Sequence, residues 1–232
     1  MGRIGTRIGG YSRAEKLSDA VVHVAGLASA LMAVPVLVTL TAFWRGDAPA
    51  LFGVAIYGAA LIGMILCSAL YHMVPHPQWK GLLRRLDHSA IYLKIAGTYT
   101  PFAFLSGVGA GLVTGLWSAA LAGIALWIFA PGRFRWLAFS LYLGMGWVGL
   151  VLGWPLFSTM SWPVLGLVIA GGVTYTVGTA FYLLEAIPFH NTIWHVFVLA
   201  ASVVFFVAVT LHLAETSALI QVDVQAPAAA HS

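Results

Sequence analysis

Long apolar stretches, separated by short polar segments, follow one another through the whole chain. Each is about 20 residues or longer, which is the length a helix needs to cross a bilayer. They cover residues 20–44, 49–74, 87–106, 108–130, 136–154, 163–184 and 190–214. Lipid cannot satisfy backbone hydrogen bonds, and the stretches are continuous instead of alternating as in barrel strands. The pattern therefore predicts seven transmembrane helices.

The short segments between these stretches are rich in residues that favour turns. They are Arg45-Gly46-Asp47, Pro75-His76-Pro77, Ser106 to Gly111, Pro131-Gly132, Ser161-Trp162-Pro163 and Ile187-Pro188. The chain then divides into an N-terminal segment (1–19), a helical membrane domain (20–214) and a short external tail (215–232). The tail ends in alanine-rich sequence, so we expect it to be disordered.

Composition supports the membrane interpretation. Of the 232 residues, 61% are apolar, 13% are aromatic and only 8% are charged, and the mean hydropathy is +0.94. A soluble domain is about one-quarter charged, so a water-soluble globular protein is excluded. The formal charge of +4 does not indicate a nucleic-acid partner, because most basic residues fall between the apolar stretches.

Lysine and arginine concentrate on one side of the predicted bundle. Nine of the eleven lie in segments that share that side: Arg3, Arg7, Arg13, Lys16, Lys80, Arg84, Arg85, Arg133 and Arg135. The positive-inside rule places this side in the cytoplasm. The predicted fold is therefore all-α: a polytopic seven-helix bundle with a cytoplasmic N-terminus and an external C-terminus.

Polar residues within the spans gather at this cytoplasmic end. They are Ser68 and His72 in the second span, Asp87 and His88 in the third, and His190, Asn191 and His195 in the seventh, joined by Asp19, His23 and Glu185. His212 falls at the opposite end. Ionisable groups in a membrane are costly unless they are paired, hydrated or metal-bound, so this layer is the candidate functional site.

Histidines and a carboxylate from separate helices are the ligand types that zinc prefers. A shared Zn2+ explains His72, Asp87 and His195 together, whereas three helices must otherwise each hide a polar group independently. Ser68 lies four residues before His72 and so shares its helix face, where it can orient the histidine or a water. In the alternative, each histidine caps a helix or lies among lipid headgroups, and Ser68 bonds to its own helix backbone.

Several short runs carry a family resemblance. Ser68-Ala69-Leu70-Tyr71-His72, the stretch 86–92 continuing through 97–102, and Ile193-Trp194-His195 resemble those of hemolysin III proteins, which belong to the progestin and adiponectin receptor (PAQR) family. The resemblance implies a cytoplasmic-side zinc site with His72 and His195 as ligands and Asp87 near the metal. It also implies kinship to membrane-embedded hydrolases such as alkaline ceramidases, and in some relatives a lipid amidase activity.

One position departs from the family pattern. The last span of the family carries His-x-x-x-His, which would place the first histidine at 191, but this chain has Asn191 preceded by His190. At about 100° per residue, positions 190 and 195 differ by roughly 140°, so a regular helix cannot direct both side chains to one ion. We expect His190 from an irregular first turn as the third ligand, with Asn191 or water as the alternatives. Weaker zinc affinity or a different metal is then an open outcome.

Lys94 lies about two turns into the third span, on nearly the same face as Asp87. It could pair with Asp87 or Glu185, or bind a lipid phosphate or carboxylate inside the bundle. The alternative is a lysine that extends its ammonium toward the membrane surface.

Two functions follow from these residues. The first is a metal-dependent hydrolase of a lipid amide or ester, in which zinc activates water, Asp87 transfers its proton and Ser68 donates to the oxyanion or the water. The second is a non-catalytic receptor or regulator of membrane homeostasis with a structural metal. A cytolytic pore is disfavoured, because the spans lack a polar stripe outside the cytoplasmic layer.

The expected partners are membrane lipids, including a lipid amide substrate. The expected location is the bacterial inner (plasma) membrane, as a multi-pass protein. The sequence indicates no nucleic-acid partner and no particular oligomeric state.

Overall fold

A computed structural model describes residues 10–129 and 135–229, with side chains through residue 220 except that of Arg135. Over these residues the chain forms helices and connecting turns, with no strand. The helices are α1 (Arg13–Trp44), α2 (Ala48–Met73), α3 (Pro77–Ser106), α4 (Ala110–Phe129), α5 (Arg135–Leu152), the single turn α6 (Trp154–Phe157), α7 (Trp162–Leu183) and α8 (His190–Ala229). The seven long helices coincide with the seven predicted stretches, so the all-α bundle is confirmed. Arg3, Arg7, Arg133 and the Pro131-Gly132 turn lie outside the described residues.

Helix ends differ from the predicted boundaries where polar residues cap a helix. Helix α1 begins at Arg13 and not at 20, because Ser12 and Glu15 form a capping box in which each side chain accepts the other's backbone N–H. Helix α3 begins at Pro77, since proline fits the first turn of a helix. Helix α8 continues to Ala229, through most of the segment expected to be a disordered tail.

Five described helices are long and apolar enough to cross a membrane: α1, α2, α4, α7 and α8 through Ile220. Helix α5 is apolar but shorter. The outer surface carries many large apolar side chains, and Phe43, Phe129 and Trp162 are each more than 80% exposed. A surface of this kind suits lipid contact and not water. The chain is thus an integral, multi-pass membrane protein, and its orientation stays a prediction.

Helix α3 is less apolar than these five and occupies the middle of the bundle. It packs against α2, α4, α5 and α8. The polar residues Lys94, Thr98 and Thr100 on α3 are all buried, so its neighbours shield them from lipid. The central position explains how the helix tolerates a polar sequence.

Glycine allows helix α2 to approach both of its neighbours closely. A Cβ atom at Gly58 would lie 2.3 Å from Val34 Cγ1 of α1, and one at Gly97 of α3 would lie 2.7 Å from Ala60 Cβ. Neither position has room for a side chain. The tight packing fixes how the ends of α1, α2 and α3 are arranged, which is where the candidate site lies.

Candidate metal centre

Helices α1, α2 and α8 bring five polar side chains together at one end of the bundle. Asp19 and His23 come from the first turns of α1, Ser68 and His72 from the last two turns of α2, and His195 from the second turn of α8. We call these five residues the histidine cluster. Asp19, His23 and His195 are buried, whereas Ser68 and His72 are half-buried.

The carboxylate of Asp19 joins two of the histidines. Its Oδ1 lies 2.6 Å from His195 Nδ1, and its Oδ2 lies 3.1 Å from His72 Nδ1. An ionised carboxylate only accepts hydrogen bonds, so both Nδ1 atoms carry the proton. One acidic side chain from α1 therefore ties α2 to α8.

A backbone carbonyl accepts the hydrogen bond of the third imidazole. His23 Nδ1 lies 2.8 Å from the Asp19 carbonyl oxygen. A carbonyl oxygen also only accepts, so His23 carries its proton on Nδ1. In a neutral imidazole the Nε2 atom then keeps a free lone pair. A histidine that binds a metal typically has its other ring nitrogen held by a carboxylate or carbonyl in this way.

The three rings surround a common space. Their centroids are 4.3 Å apart for His23 and His195, 4.6 Å for His72 and His195, and 5.4 Å for His23 and His72. Ser68 reaches into this space, with its Oγ 3.1 Å from His23 Nε2 and 3.5 Å from His195 Nε2. Two of the lone pairs thus point toward the same hydroxyl group.

This donor set fits a metal ion. Asp19, His23 and His195 each offer a ligand atom, and these atoms lie within 4.8 Å of one another. Neutral imidazole together with carboxylate suits zinc, and also other divalent first-row metals. The buried Asp/His/His group could therefore hold a metal ion, and its donors do not define which one.

Of the predicted ligands, His72 and His195 meet in the cluster, but His190 and Asn191 lie elsewhere. His190 Nε2 is 2.9 Å from the Tyr11 hydroxyl, and the side chain of Asn191 hydrogen-bonds to the same tyrosine. The third imidazole comes from His23 of α1. Helix geometry accounts for the difference, because positions 190 and 195 face about 140° apart.

Contacts with α1 set the rotation of α8. Phe189, whose φ is 60°, precedes the helix and donates its N–H to Glu15 Oε1 at 2.9 Å. The hydroxyls of Ser18 and Thr192 lie 2.9 Å apart. These two contacts dock the first turn of α8 on α1, with His195 toward Asp19 and His190 toward Tyr11.

Asp87 lies near the cluster but is not part of it. Its Oδ2 is 3.5 Å from His88 Nδ1, and that nitrogen also donates to the Arg84 carbonyl at 2.9 Å. The described contacts of Asp87 therefore lead to its neighbour on α3. Its assignments as a ligand and as a proton acceptor stay predictions.

A cavity of about 590 Å³ extends from the histidine cluster into the bundle. Its deeper wall includes Lys94 and the aromatic side chains of Tyr99, Phe157, Tyr175 and Phe205. Cavities of this volume and apolar character bind small organic ligands in many proteins. Here the polar cluster lies at one end of a largely apolar space.

Comparison with known proteins gives a family match that covers most of the chain. A family model described as haemolysin-III related matches residues 11–206. The chain belongs to the haemolysin-III related family. The match includes every residue of the histidine cluster, and it confirms the resemblance that the sequence motifs indicated.

Curated relatives of this haemolysin-III related protein cover most of its length. It is 39% identical to the hemolysin-3 homolog of Bacillus subtilis (strain 168) over 203 residues, 85% of this chain and 94% of the relative. It is 36% identical to hemolysin-3 of Bacillus cereus over 88% of this chain and 94% of the relative. Human monocyte to macrophage differentiation factor is 27% identical, over 68% and 69% of the two chains.

The sequence pattern places Asp19 and His23 in the same polar layer as His72 and His195 but does not select them as ligands. Their spacing was an available signal. Asp19 and His23 are four residues apart on α1, as Ser68 and His72 are on α2, so each pair occupies one helix face. Two such pairs at the same depth on consecutive antiparallel helices favour a shared site.

Proposed function

We propose that this haemolysin-III related protein is a metal-dependent hydrolase of a lipid amide or ester. The observation that supports the proposal is a cluster of three imidazoles and one carboxylate at the end of a largely apolar cavity of about 590 Å³ inside a membrane bundle. A lipid with a scissile carbonyl group and a long acyl chain has the matching shape and polarity. The polar group would lie at the cluster and the chain in the cavity.

The residues that would hold the metal are His23, His72 and His195 through Nε2, with Asp19 as a further ligand or as the acceptor that fixes the imidazoles. Bound Zn2+ would polarise a carbonyl and lower the pKa of water, which is the chemistry that amide or ester hydrolysis requires. Asp19 keeps His72 and His195 in the tautomer that offers Nε2. His190 and Asn191 remain candidates only if the first turn of α8 rearranges.

Two more side chains have proposed roles in hydrolysis. Asp87 lines the same cavity and would accept a proton from the attacking water and return it to the leaving amine or alcohol. The carbonyl carbon gains the water oxygen as its bond to the leaving group breaks. Ser68, which points its hydroxyl into the cluster, would donate a hydrogen bond to the developing oxyanion.

The test is hydrolysis of a ceramide, an N-acyl amide and an acyl ester by purified protein in detergent, with metal content measured on the same samples. We expect Asp87→Asn to keep the metal and lose turnover by at least a hundredfold, because its amide cannot accept the proton. His195→Ala should lose both. His212→Ala, at the opposite end of the bundle, should keep both. Wild-type protein that carries a full complement of metal and turns over none of these substrates would contradict the proposal.

One observation favours a second, non-catalytic function. Asp19 links α1 to both α2 and α8, so a metal in the cluster would also tie three helices together. In a receptor or regulator of membrane homeostasis, the metal would serve that structural purpose alone. Removing the metal would then lower thermal stability in a protein that hydrolyses none of the lipid substrates.

A further inference from the structure

A second histidine lies beside a serine at the end of the bundle opposite the histidine cluster. His212 of α8 is 2% exposed, and its Nε2 lies 2.9 Å from Oγ of Ser106, the last residue of α3. Ser106 is half-buried. A hydroxyl within about 2.6–3.2 Å of an imidazole nitrogen is the arrangement in which histidine activates serine as a nucleophile. The metal centre uses neither residue.

The hydroxyl of Ser106 is directed at the histidine and not at its own helix. On the neighbouring helix α4, Thr114 and Ser118 each donate to the carbonyl four residues earlier, at 2.9 and 2.8 Å, as helix hydroxyls commonly do. Across residues 10–129 and 136–220, Ser106 makes no such bond. Its Oγ instead accepts from Thr159 Oγ1 at 3.3 Å. Ser106 therefore keeps its own proton for Nε2 of His212.

The chain turns sharply directly after Ser106. Gly107 has a φ of 67° and Gly109 a φ of 97°, which are left-handed conformations that glycine adopts without strain. Gly107 and Val108 are exposed, so water reaches this turn. Within the described part of the chain, no backbone carbonyl accepts the Gly107 N–H. In α/β-hydrolases, the N–H of the residue after the nucleophile stabilises the oxyanion, and Gly107 offers a donor in that position.

Packing on α3 fixes the position of the His212 ring. The centroid of the Phe102 ring lies 5.6 Å from that of His212. Phe102 is four residues before Ser106, so one face of α3 both packs the imidazole and presents the hydroxyl. Among the residues that the structure describes, no carboxylate holds the His212 ring as Asp19 holds His195. Activation should therefore be weaker than in a Ser-His-Asp triad, which limits the reaction to esters with a good leaving group.

We propose that Ser106 is a nucleophile, with His212 as its general base, that short activated carboxylic esters acylate from the water side. Ser106 Oγ bonds to the ester carbonyl carbon while Nε2 takes the hydroxyl proton. The bond from that carbon to the leaving oxygen breaks, and His212 returns the proton to the leaving group. Water then attacks the acyl-serine, with His212 again taking and returning a proton, which releases a carboxylic acid and restores the serine.

This serine site does not rest on the proposed lipid hydrolysis. No step of the acylation passes through a metal, and the two sites lie at opposite ends of the bundle. A chelator that strips the metal from wild-type protein should leave the reactivity of Ser106 unchanged. Loss of that reactivity on chelation would overturn the proposal, whereas failure of the lipid hydrolase proposal would leave it standing.

The direct test is covalent labelling of purified full-length protein in detergent with a short-chain fluorophosphonate. Oγ bonds to phosphorus, the P–F bond breaks, and fluoride leaves as His212 takes the hydroxyl proton. Peptide mass spectrometry should find the adduct on Ser106. Ser158 is the matched control, because it is an exposed serine at the same end whose hydroxyl donates to the Pro155 carbonyl at 3.1 Å. Labelling of Ser106 no greater than that of Ser158 would overturn the proposal.

Hydrolysis of 4-nitrophenyl acetate separates a nucleophile from a structural hydrogen bond. Ser106→Ala should lower the protein-dependent rate at least tenfold. His212→Gln should lower both this rate and the labelling of Ser106 at least tenfold, because its amide can hydrogen-bond to the serine but cannot take its proton. Ser158→Ala should keep both. A wild-type rate in Ser106→Ala would contradict the site. Labelling of wild-type protein needs no variant, so that test stands even if Ser106→Ala or His212→Gln does not fold.

Discussion

The two ends of the bundle each bury a histidine beside a serine, but among the described residues only one end adds a carboxylate to the pair. At the end opposite the histidine cluster, His212 is 2% exposed and its Nε2 lies 2.9 Å from Ser106 Oγ. Among the described residues, no carboxylate forms an ion pair with His212. At the cluster end, Asp19 binds two imidazoles and its backbone binds a third.

The difference teaches which arrangement of buried histidines could hold a metal ion. A single imidazole that pairs with a hydroxyl group through Nε2 can offer a metal ion one nitrogen at most. Three imidazoles whose Nδ1 protons are held by acceptors offer three lone pairs in one space. Asp19 is therefore the residue that most distinguishes the two ends, and the following predictions test that contrast.

The largest effect is expected from Asp19→Asn. The amide is nearly the same size but is neutral, and it cannot accept from two imidazoles with both of its terminal atoms. We expect zinc affinity to fall by about 100-fold or more, since loss of such a partner typically costs 10- to 100-fold even when it is not itself a ligand. Competition with a chelator of known affinity measures the change. Glu215→Gln, at the other end, is the matched control and should bind zinc as the wild type does.

The next prediction separates the third imidazole in the structure from the one that the sequence favoured. His23→Ala should weaken zinc binding by at least tenfold, because it removes a lone pair from the cluster. His190→Ala should leave the affinity within about twofold of the wild type, since that ring contacts Tyr11. Zinc titration of both variants measures the two affinities. A larger loss of affinity in His190→Ala than in His23→Ala would restore His190 as the third ligand.

Removing the histidine at the opposite end should affect stability and not metal binding. His212→Ala leaves a buried cavity and takes a hydrogen-bond partner from Ser106, so we expect unfolding to become easier by about 1–3 kcal/mol. Thermal unfolding in detergent measures this, with zinc affinity determined in parallel. A fall in zinc affinity as large as that of His23→Ala would show that the two ends are not independent.

Within the histidine cluster, the smallest effect on metal binding is expected from Ser68→Ala. Its hydroxyl contacts two imidazoles but supplies neither charge nor a strong ligand. Zinc affinity should change by less than about tenfold. A complete loss of bound zinc in the same chelator competition would make Ser68 a principal part of the centre.

Much of the fold was predictable from the sequence, because an apolar stretch long enough to span a bilayer has one stable backbone conformation there. The starts of α1 and α3 were not, since those turns are polar and are stabilised by Ser12, Glu15 and Pro77 instead of by lipid. A search for apolar stretches does not detect such polar turns.

The site was predictable only in part. His72 and His195 followed from their depth and motif, and the angle between positions 190 and 195 followed from helix geometry. Which of those two faces the cluster depends on how α8 docks on α1 through Glu15 and Ser18. That contact joins residues far apart in the chain, so no local pattern reveals it. His23 was missed although its spacing from Asp19 matches that of Ser68 and His72.

The most direct measurement of the central claim is zinc K-edge X-ray absorption on purified wild-type protein loaded with one equivalent of zinc. We expect one tightly bound ion per chain with the outer-shell scattering of two or three imidazoles, and loss of that signal in His23→Ala/His195→Ala. A protein that binds no zinc at this ratio, or whose zinc shows no imidazole scattering, would contradict it.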